Sequence, residues 1–87
     1  MGSFRLEWRR STKKDLLRIA PQEVVRIVAE AQKLIGDPFP HGSEKLSGSE
    51  RAYRIRIGNY RIVYEVFPDL RLVEIERVAH RKDVYRK

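Results

Sequence analysis

Tyr53-Arg54-Ile55-Arg56-Ile57-Gly58-Asn59-Tyr60-Arg61-Ile62-Val63-Tyr64-Glu65-Val66 is the stretch that decides the fold of this chain. Tyr53, Ile55 and Ile57 alternate with Arg54 and Arg56, Gly58-Asn59 supplies a two-residue turn, and Tyr60, Ile62, Tyr64 and Val66 resume the alternation. That is the pattern of a β-hairpin with one buried face. The two-residue loop sets the register: Ile57 opposite Tyr60, Arg56 opposite Arg61, Ile55 opposite Ile62, Arg54 opposite Val63. The apolar members share one face, and Arg54, Arg56 and Arg61 converge on the other. Like charges opposed on a sheet destabilise it by about as much as favourable cross-strand pairs stabilise it, roughly 0.2–1 kcal/mol. Folding does not account for Arg56 facing Arg61, whereas an anion site does. Two plainer explanations stand beside it. Glu74 or Glu76 on the next strand neutralises Arg61, or exposed arginines on an edge strand discourage sheet-to-sheet aggregation.

Upstream, Phe4, Leu6 and Trp8 alternate with Arg5 and Glu7, the period of a half-buried first strand. Trp8 reads as core rather than as a base-stacking platform. Ser11 or Thr12 offers an N-cap oxygen, with Asp15 completing a weak capping box from Thr12, and a short helix follows that ends near Pro21. Pro21 suits the first turn of a second helix and Glu23 complements its dipole. Val24, Ile27, Val28, Ala31, Leu34 and Ile35 form its apolar stripe, and Gly36-Asp37-Pro38 stops it. The tight junction at Ala20 and Pro21 makes the two helices a hairpin over one sheet face. Residues 36–50, rich in Gly, Pro and Ser, read as a surface loop pinned by Phe39 and Leu46.

Downstream, Pro68-Asp69 makes a second turn, and Leu70 to Ala79 form a strand whose mixed pattern defines no register. His80 to Lys87 read as a short helical turn. The expected architecture is α+β: an N-terminal strand, a helical hairpin, then a three-stranded antiparallel meander forming a sheet backed by two helices, in a single domain over residues 1–87.

Composition narrows the function. The net charge is +7, and 13 of the 19 cationic residues are arginine. Arginine's planar fork suits bidentate phosphate contacts, whereas lysine serves a merely solubilising surface equally well. Residues 51–87 carry ten cations and five acids, so the positive field sits mainly on the C-terminal half and a phosphate-rich partner is expected. With no cysteine there is no disulfide and no thiolate metal site. No apolar run is long enough to span a bilayer and no signal-peptide core is present, so a cytoplasmic protein without membrane contact is expected. His41 lies in a Gly/Pro loop without a second ligand, the acids show no paired spacing, and no Gly-rich phosphate loop precedes a helix. Neither a metal nor a nucleotide cofactor is expected.

The last stretch supplies what an arginine hairpin lacks for chemistry. His80, Arg81 and Tyr85 bring an imidazole, a further cation and a phenol within six residues, and a turn of helix puts Arg81 and Tyr85 on one face. Singly, His80 reads as an ordinary surface histidine and Tyr85 as a packing residue. Placed together beside the arginines they read as a site.

Glu44-Lys45-Leu46-Ser47-Gly48, Tyr53-Arg54-Ile55-Arg56, Tyr60-Arg61-Ile62-Val63-Tyr64 and His80-Arg81-Lys82-Asp83-Val84-Tyr85 follow a strand and a helical hairpin in this order. Across nearly the whole chain the arrangement resembles the RelE toxins of the RelE/ParE superfamily. The resemblance implies a type II toxin neutralised by a RelB-like antitoxin, meeting DNA only indirectly through that complex. It implies an endoribonuclease that enters the ribosomal A site and cleaves messenger RNA without a metal, by attack of a ribose 2′-OH on the adjacent phosphate. By position, the resemblance makes Arg61 the phosphate ligand, has Arg81 stabilise or protonate the leaving side, and has Tyr85 orient or deprotonate the 2′-OH. Arg54, Arg56 and His80 become substrate-binding residues. Familiar members carry lysines where this chain has Arg54 and Arg56. Arginine stays charged, so these two clamp charge rather than carry protons, and proton transfer falls to Tyr85 or His80. Two other functions suit the same residues: a ParE-like gyrase inhibitor without nuclease activity, and a nucleic-acid-binding module.

Overall fold

The computed structural model describes residues 3–80. Its elements in chain order are β1 (Arg5–Trp8), α1 (Arg10–Leu17), α2 (Pro21–Gln32), β2 (Glu44–Lys45), β3 (Ala52–Ile57), β4 (Tyr60–Phe67) and β5 (Leu72–His80). The strands form one sheet in the order β1-β5-β4-β3-β2. The C-terminal helical turn expected from His80 onward lies outside the described residues, apart from His80 itself, which ends β5. Among the described residues no helix is long and apolar enough to cross a membrane.

The hairpin has the register its turn dictates, from Ile57 opposite Tyr60 to Ala52 opposite Glu65. Gly58 opens the turn at φ +61°, the left-handed value a tight hairpin demands of its first turn residue. A Cβ there would also stand 3.0 Å from the guanidinium of Arg26 on α2. Ile27, Ala31 and Leu34, from α2 and the 3₁₀ turn that continues it, pack on Ile57, Ile62, Tyr64, Val66, Val73, Ile75 and Val78. Pro21 and Glu23 occupy the first turn of α2, where proline loses no hydrogen bond and the acid meets the positive end of the dipole.

Three features depart from the expected fold. The sheet is mixed, not purely antiparallel: β1 lies parallel to β5, with Arg5 beside Leu72 and Trp8 beside Ile75. The presumed loop of residues 36–50 contains β2, whose two residues pair with Arg54 and Tyr53. The helix expected from Ser11 or Thr12 starts at Arg10, with Arg9 at its N-cap and no side-chain cap. Thr12 is instead fully buried inside α1, its hydroxyl donating to the Arg9 carbonyl. Asp15 Oδ2 accepts the Val78 N–H at 3.0 Å. The reason lies at the sheet edge. β1 ends beside Ile75, so β5 runs on with outward backbone groups that need partners. Asp15 takes one of them, and the Ser11 hydroxyl donates to the Glu76 carbonyl at 3.4 Å.

β5 contains a register shift: Val63 faces Arg77, yet Tyr64 faces Ile75, leaving Glu76 as an inserted residue. Two residues of a bulged strand then oppose one on its partner, and the alternation changes phase. Val73 and Ile75 point into the core before the bulge, Val78 after it. This explains the mixed pattern of β5: its apolar residues are two apart and then three apart.

Candidate functional site

Residues opposite one another across strands share a face. On the face turned away from the helices, β3 contributes Arg54 and Arg56, β4 contributes Arg61, Val63 and Glu65, and β5 contributes Glu74, Arg77 and Ala79, with Glu44 at the edge on β2. The structure therefore brings together the three arginines of the hairpin. Arg61 is only 8% exposed although charged, flanked by Arg56 on one side and Ala79 on the other.

Arg54 is held in place. Its Nε and Nη2 donate to Oε1 of Glu44 at 3.0 and 2.7 Å, across the β2–β3 ladder. That bond, with the positive field of Arg54 and lesser contributions from Arg61 and Arg56, lowers the Glu44 carboxyl below the usual carboxylate range. The same contributions show that the three guanidinium charges are felt at one place. Among the described residues β2 pairs with β3 at Tyr53 and Arg54, and no strand pairs with the outer side of Arg56 and Ile57. Arg56 makes no ion pair among the described residues.

His80 does not join the arginines. It faces Tyr60, with ring centroids 5.5 Å apart in an edge-on arrangement, on the face that carries Ile57 and Ile62. An unbroken alternation would have carried it to the side of Glu74 and Glu76; the bulge at Glu76 transfers it to the other side. The substrate-binding role expected of His80 thus lacks the shared face on which it rested. Arg81 and Tyr85 lie outside the described residues.

Glu74 and Glu76, which the plainer explanation set against Arg61, have another guanidinium beside them. They meet Arg9, whose Nη2 lies 3.2 Å from Glu74, 3.4 Å from Glu76 and 3.6 Å from Glu65. One carboxylate oxygen from each of the three acids lies within 4.8 Å of the others. The guanidinium of Arg9 sits where a cation among them would sit. Reading the sequence missed this cluster, because an acid pair at Glu74 and Glu76 shows its meaning only once the bulge and the parallel β1 bring Glu65 and Arg9 alongside. Partial burial pushes the Glu76 carboxyl up from 4.5 to about 7, helped by its hydrogen bond with Glu65 and the charge of that neighbour, and opposed by Arg9.

The sign of the linkage follows. The folded state binds more protons at Glu76 than the unfolded chain does between pH 4.5 and about 7, so the contribution of this group to stability falls as pH rises across that window. Glu76→Gln carries no titrating carboxyl. Its thermal midpoint relative to wild type is expected to climb between those pH values and then level off. A difference that stays flat across the window contradicts the raised Glu76 carboxyl.

Residues 6–85 match the family described as "ParE toxin of type II toxin-antitoxin system, parDE". RelE1 of Methanocaldococcus jannaschii is 29% identical over 86 residues, spanning 95% of this chain and 96% of that protein. A chain of the archaeal RelE-RelB complex from Pyrococcus horikoshii OT3 superposes with a TM-score of 0.80 at 24% identity, covering 91% of this chain and 96% of its own length. A chain of the RelB-RelE antitoxin-toxin complex from Methanococcus jannaschii does so with a TM-score of 0.71 at 29% identity, over 91% and 94%.

Proposed function

This chain belongs to the ParE toxin family of type II toxin-antitoxin systems, within the RelE/ParE superfamily, and we propose that it acts as a RelE-type endoribonuclease cutting messenger RNA in the ribosomal A site. The observation that carries the reading is the convergence of Arg54, Arg56 and Arg61 on one sheet face, with Arg61 8% exposed directly opposite Arg56. Cationic side chains opposed across adjacent strands offer their forks to one anion, and charge-assisted bonds to phosphate are the strong ones.

In the proposed reaction a ribose 2′-oxygen attacks the adjacent phosphorus. The new O2′–P bond forms as the P–O5′ bond breaks, leaving a 2′,3′-cyclic phosphate and a 5′-OH. Arg61 holds the non-bridging oxygens, and its charge gains effect where water is excluded. Arg56 and Arg54 clamp the same phosphate or its neighbour, Arg54 sharing its fork between substrate and Glu44. Tyr85, as its phenolate, takes the proton of the 2′-OH, while Arg81 steadies the departing 5′-oxygen, which becomes the 5′-OH by taking a proton from water. His80, on the opposite face, supports Tyr60 rather than the substrate. Arginines that grip phosphate oxygens do not by themselves fix in-line geometry along a flexible RNA, so the ribosome supplies the orientation, a contribution that reaches several kcal/mol in well-aligned reactions.

The partner follows from the same charges. A RelB-type antitoxin, as in the complexes that share this fold, is proposed to lay an acidic or amphipathic segment over the arginine face or to displace the stretch after His80. The decisive experiment is primer extension on a translated message. Wild type is expected to leave stops within the A-site codon and Arg81→Ala to leave none; uncut message with active wild-type protein refutes the reading. The family match itself favours one other reading, a gyrase inhibitor of the same fold. Loss of supercoiling activity with the message intact would establish it.

A further inference from the structure

We infer that Arg77 is a fourth phosphate-contacting arginine of the charged face, put there by the β-bulge at Glu76. Arg77 contacts a phosphate beside the one that is cut, and this role rests on the RNA-cutting reading above.

Straight alternation along β5 would send Arg77 into the core beside Val73 and Ile75. The inserted Glu76 reverses that, so Arg77 faces Val63 on the same side as Arg54 and Arg61. Bulges re-aim side chains in this way, often beside functional sites. Arg77 is also the one exposed residue of β5, every other being buried or half-buried. It makes no ion pair among the described residues, whereas Arg9 takes up the neighbouring Glu74 and Glu76. An arginine that the fold turns outward, next to acids already engaged elsewhere, is available to an external anion.

Its position suits a second phosphate. Arg61 faces Ala79, so Arg77 is its diagonal neighbour, with a backbone separation of about 7–8 Å that long side chains bridge. Arg54 lies across Val63 on the far side, two strand spacings or about 9–10 Å from Arg77. The four arginines thus run across three adjacent strands. An RNA backbone crossing β3, β4 and β5 meets Arg54, Arg56 and Arg61 at one phosphodiester and Arg77 at the next. Such a contact binds substrate equally before and during reaction, so it belongs in KM and not in kcat.

The test uses the full chain with two probes: a fluorescent single-stranded RNA oligonucleotide titrated at several salt concentrations, and single-codon programmed ribosomes. For Arg77→Ala, oligonucleotide affinity is expected to fall about 3- to 10-fold whatever the sequence. The slope of log affinity against log salt should shrink by about 0.7, the value for one phosphate contact to a single strand. On ribosomes KM should rise by a similar factor with kcat unchanged, Arg77→Lys should recover most of the affinity, and the thermal midpoint should not move. An unchanged salt slope and KM in Arg77→Ala overturn the inference, as does an Arg77→Lys as weak as the alanine variant. The failures are separable. If wild type cuts and the slope does not respond to Arg77, this inference alone fails. If wild type leaves the message uncut while the slope still falls in Arg77→Ala, the cleavage reading fails and the phosphate contact stands.

Discussion

Arg61→Ala is expected to lower the single-turnover rate of A-site cleavage by about 10²–10³-fold, the usual loss when a preorganised charge at the reacting centre is removed. The same variant should unfold at a temperature close to that of wild type. Two terms oppose each other in stability. Truncation gives up the packing of a residue that is only 8% exposed. It also relieves the repulsion between Arg61 and Arg56, which face each other across β3 and β4. Arg61→Gln keeps most of the stem and removes the charge, so its midpoint should lie above that of the alanine variant while its rate stays low. Primer extension under single-turnover conditions and thermal denaturation of the three proteins give both quantities. A rate near wild type in the glutamine variant removes Arg61 from the site. A rate that falls only in step with the midpoint makes it a structural residue.

That opposition between rate and stability is what the hairpin sequence already implied. Local features determine its register: a glycine at φ +61° closes a two-residue turn, and alternation on both sides leaves one way to pair. Nothing outside residues 53–66 was needed to place Arg56 opposite Arg61. The helical stripe of α2 was legible for the same reason, since Ile27, Ala31 and Leu34 recur at helical spacing and are the residues the core contains.

Features set by distant partners were not legible. The parallel pairing of β1 with β5 joins segments more than sixty residues apart, and no property of Phe4 to Trp8 distinguishes a parallel neighbour from an antiparallel one. β2 is two residues long and has no period to detect. Asp15 looked like half of a capping box because both uses of a carboxylate, at an N-cap and at a sheet edge, are satisfied by the same residue type. The bulge had the widest consequences. One inserted residue, Glu76, blurred the pattern of β5, moved His80 to the face of Tyr60, and turned Arg77 toward the other arginines. The placement of the candidate residues was therefore legible where it rested on one hairpin and not where it rested on the third strand.

Tyr64→Ala is expected to cost about 3–5 kcal/mol, the range for removing a large buried aromatic ring. Tyr64 is fully buried, stacked on Tyr53 at 6.0 Å, and Tyr53 in turn meets Phe39 edge-on at 5.1 Å. At about 0.05–0.15 kcal/mol per residue a chain of this length holds only several kcal/mol of stability, so the alanine variant should be largely unfolded without a binding partner. Tyr64→Phe isolates the hydroxyl, which donates to the Pro38 carbonyl at 2.8 Å. Burial pushes this phenol up to about 12, so it remains a donor at any physiological pH. Leaving the buried carbonyl without its donor should cost about 1–3 kcal/mol, read as a lower urea midpoint at an unchanged slope. The effect should also reach the arginine face. Pro38 anchors the segment that leads to β2, β2 carries Glu44, and Glu44 holds Arg54. In Tyr64→Phe the β2 ladder should therefore lose hydrogen-exchange protection before β4 and β5 do. Uniform loss of protection across all strands, or a urea midpoint equal to that of wild type, would show that the bond to Pro38 does not hold this edge of the sheet.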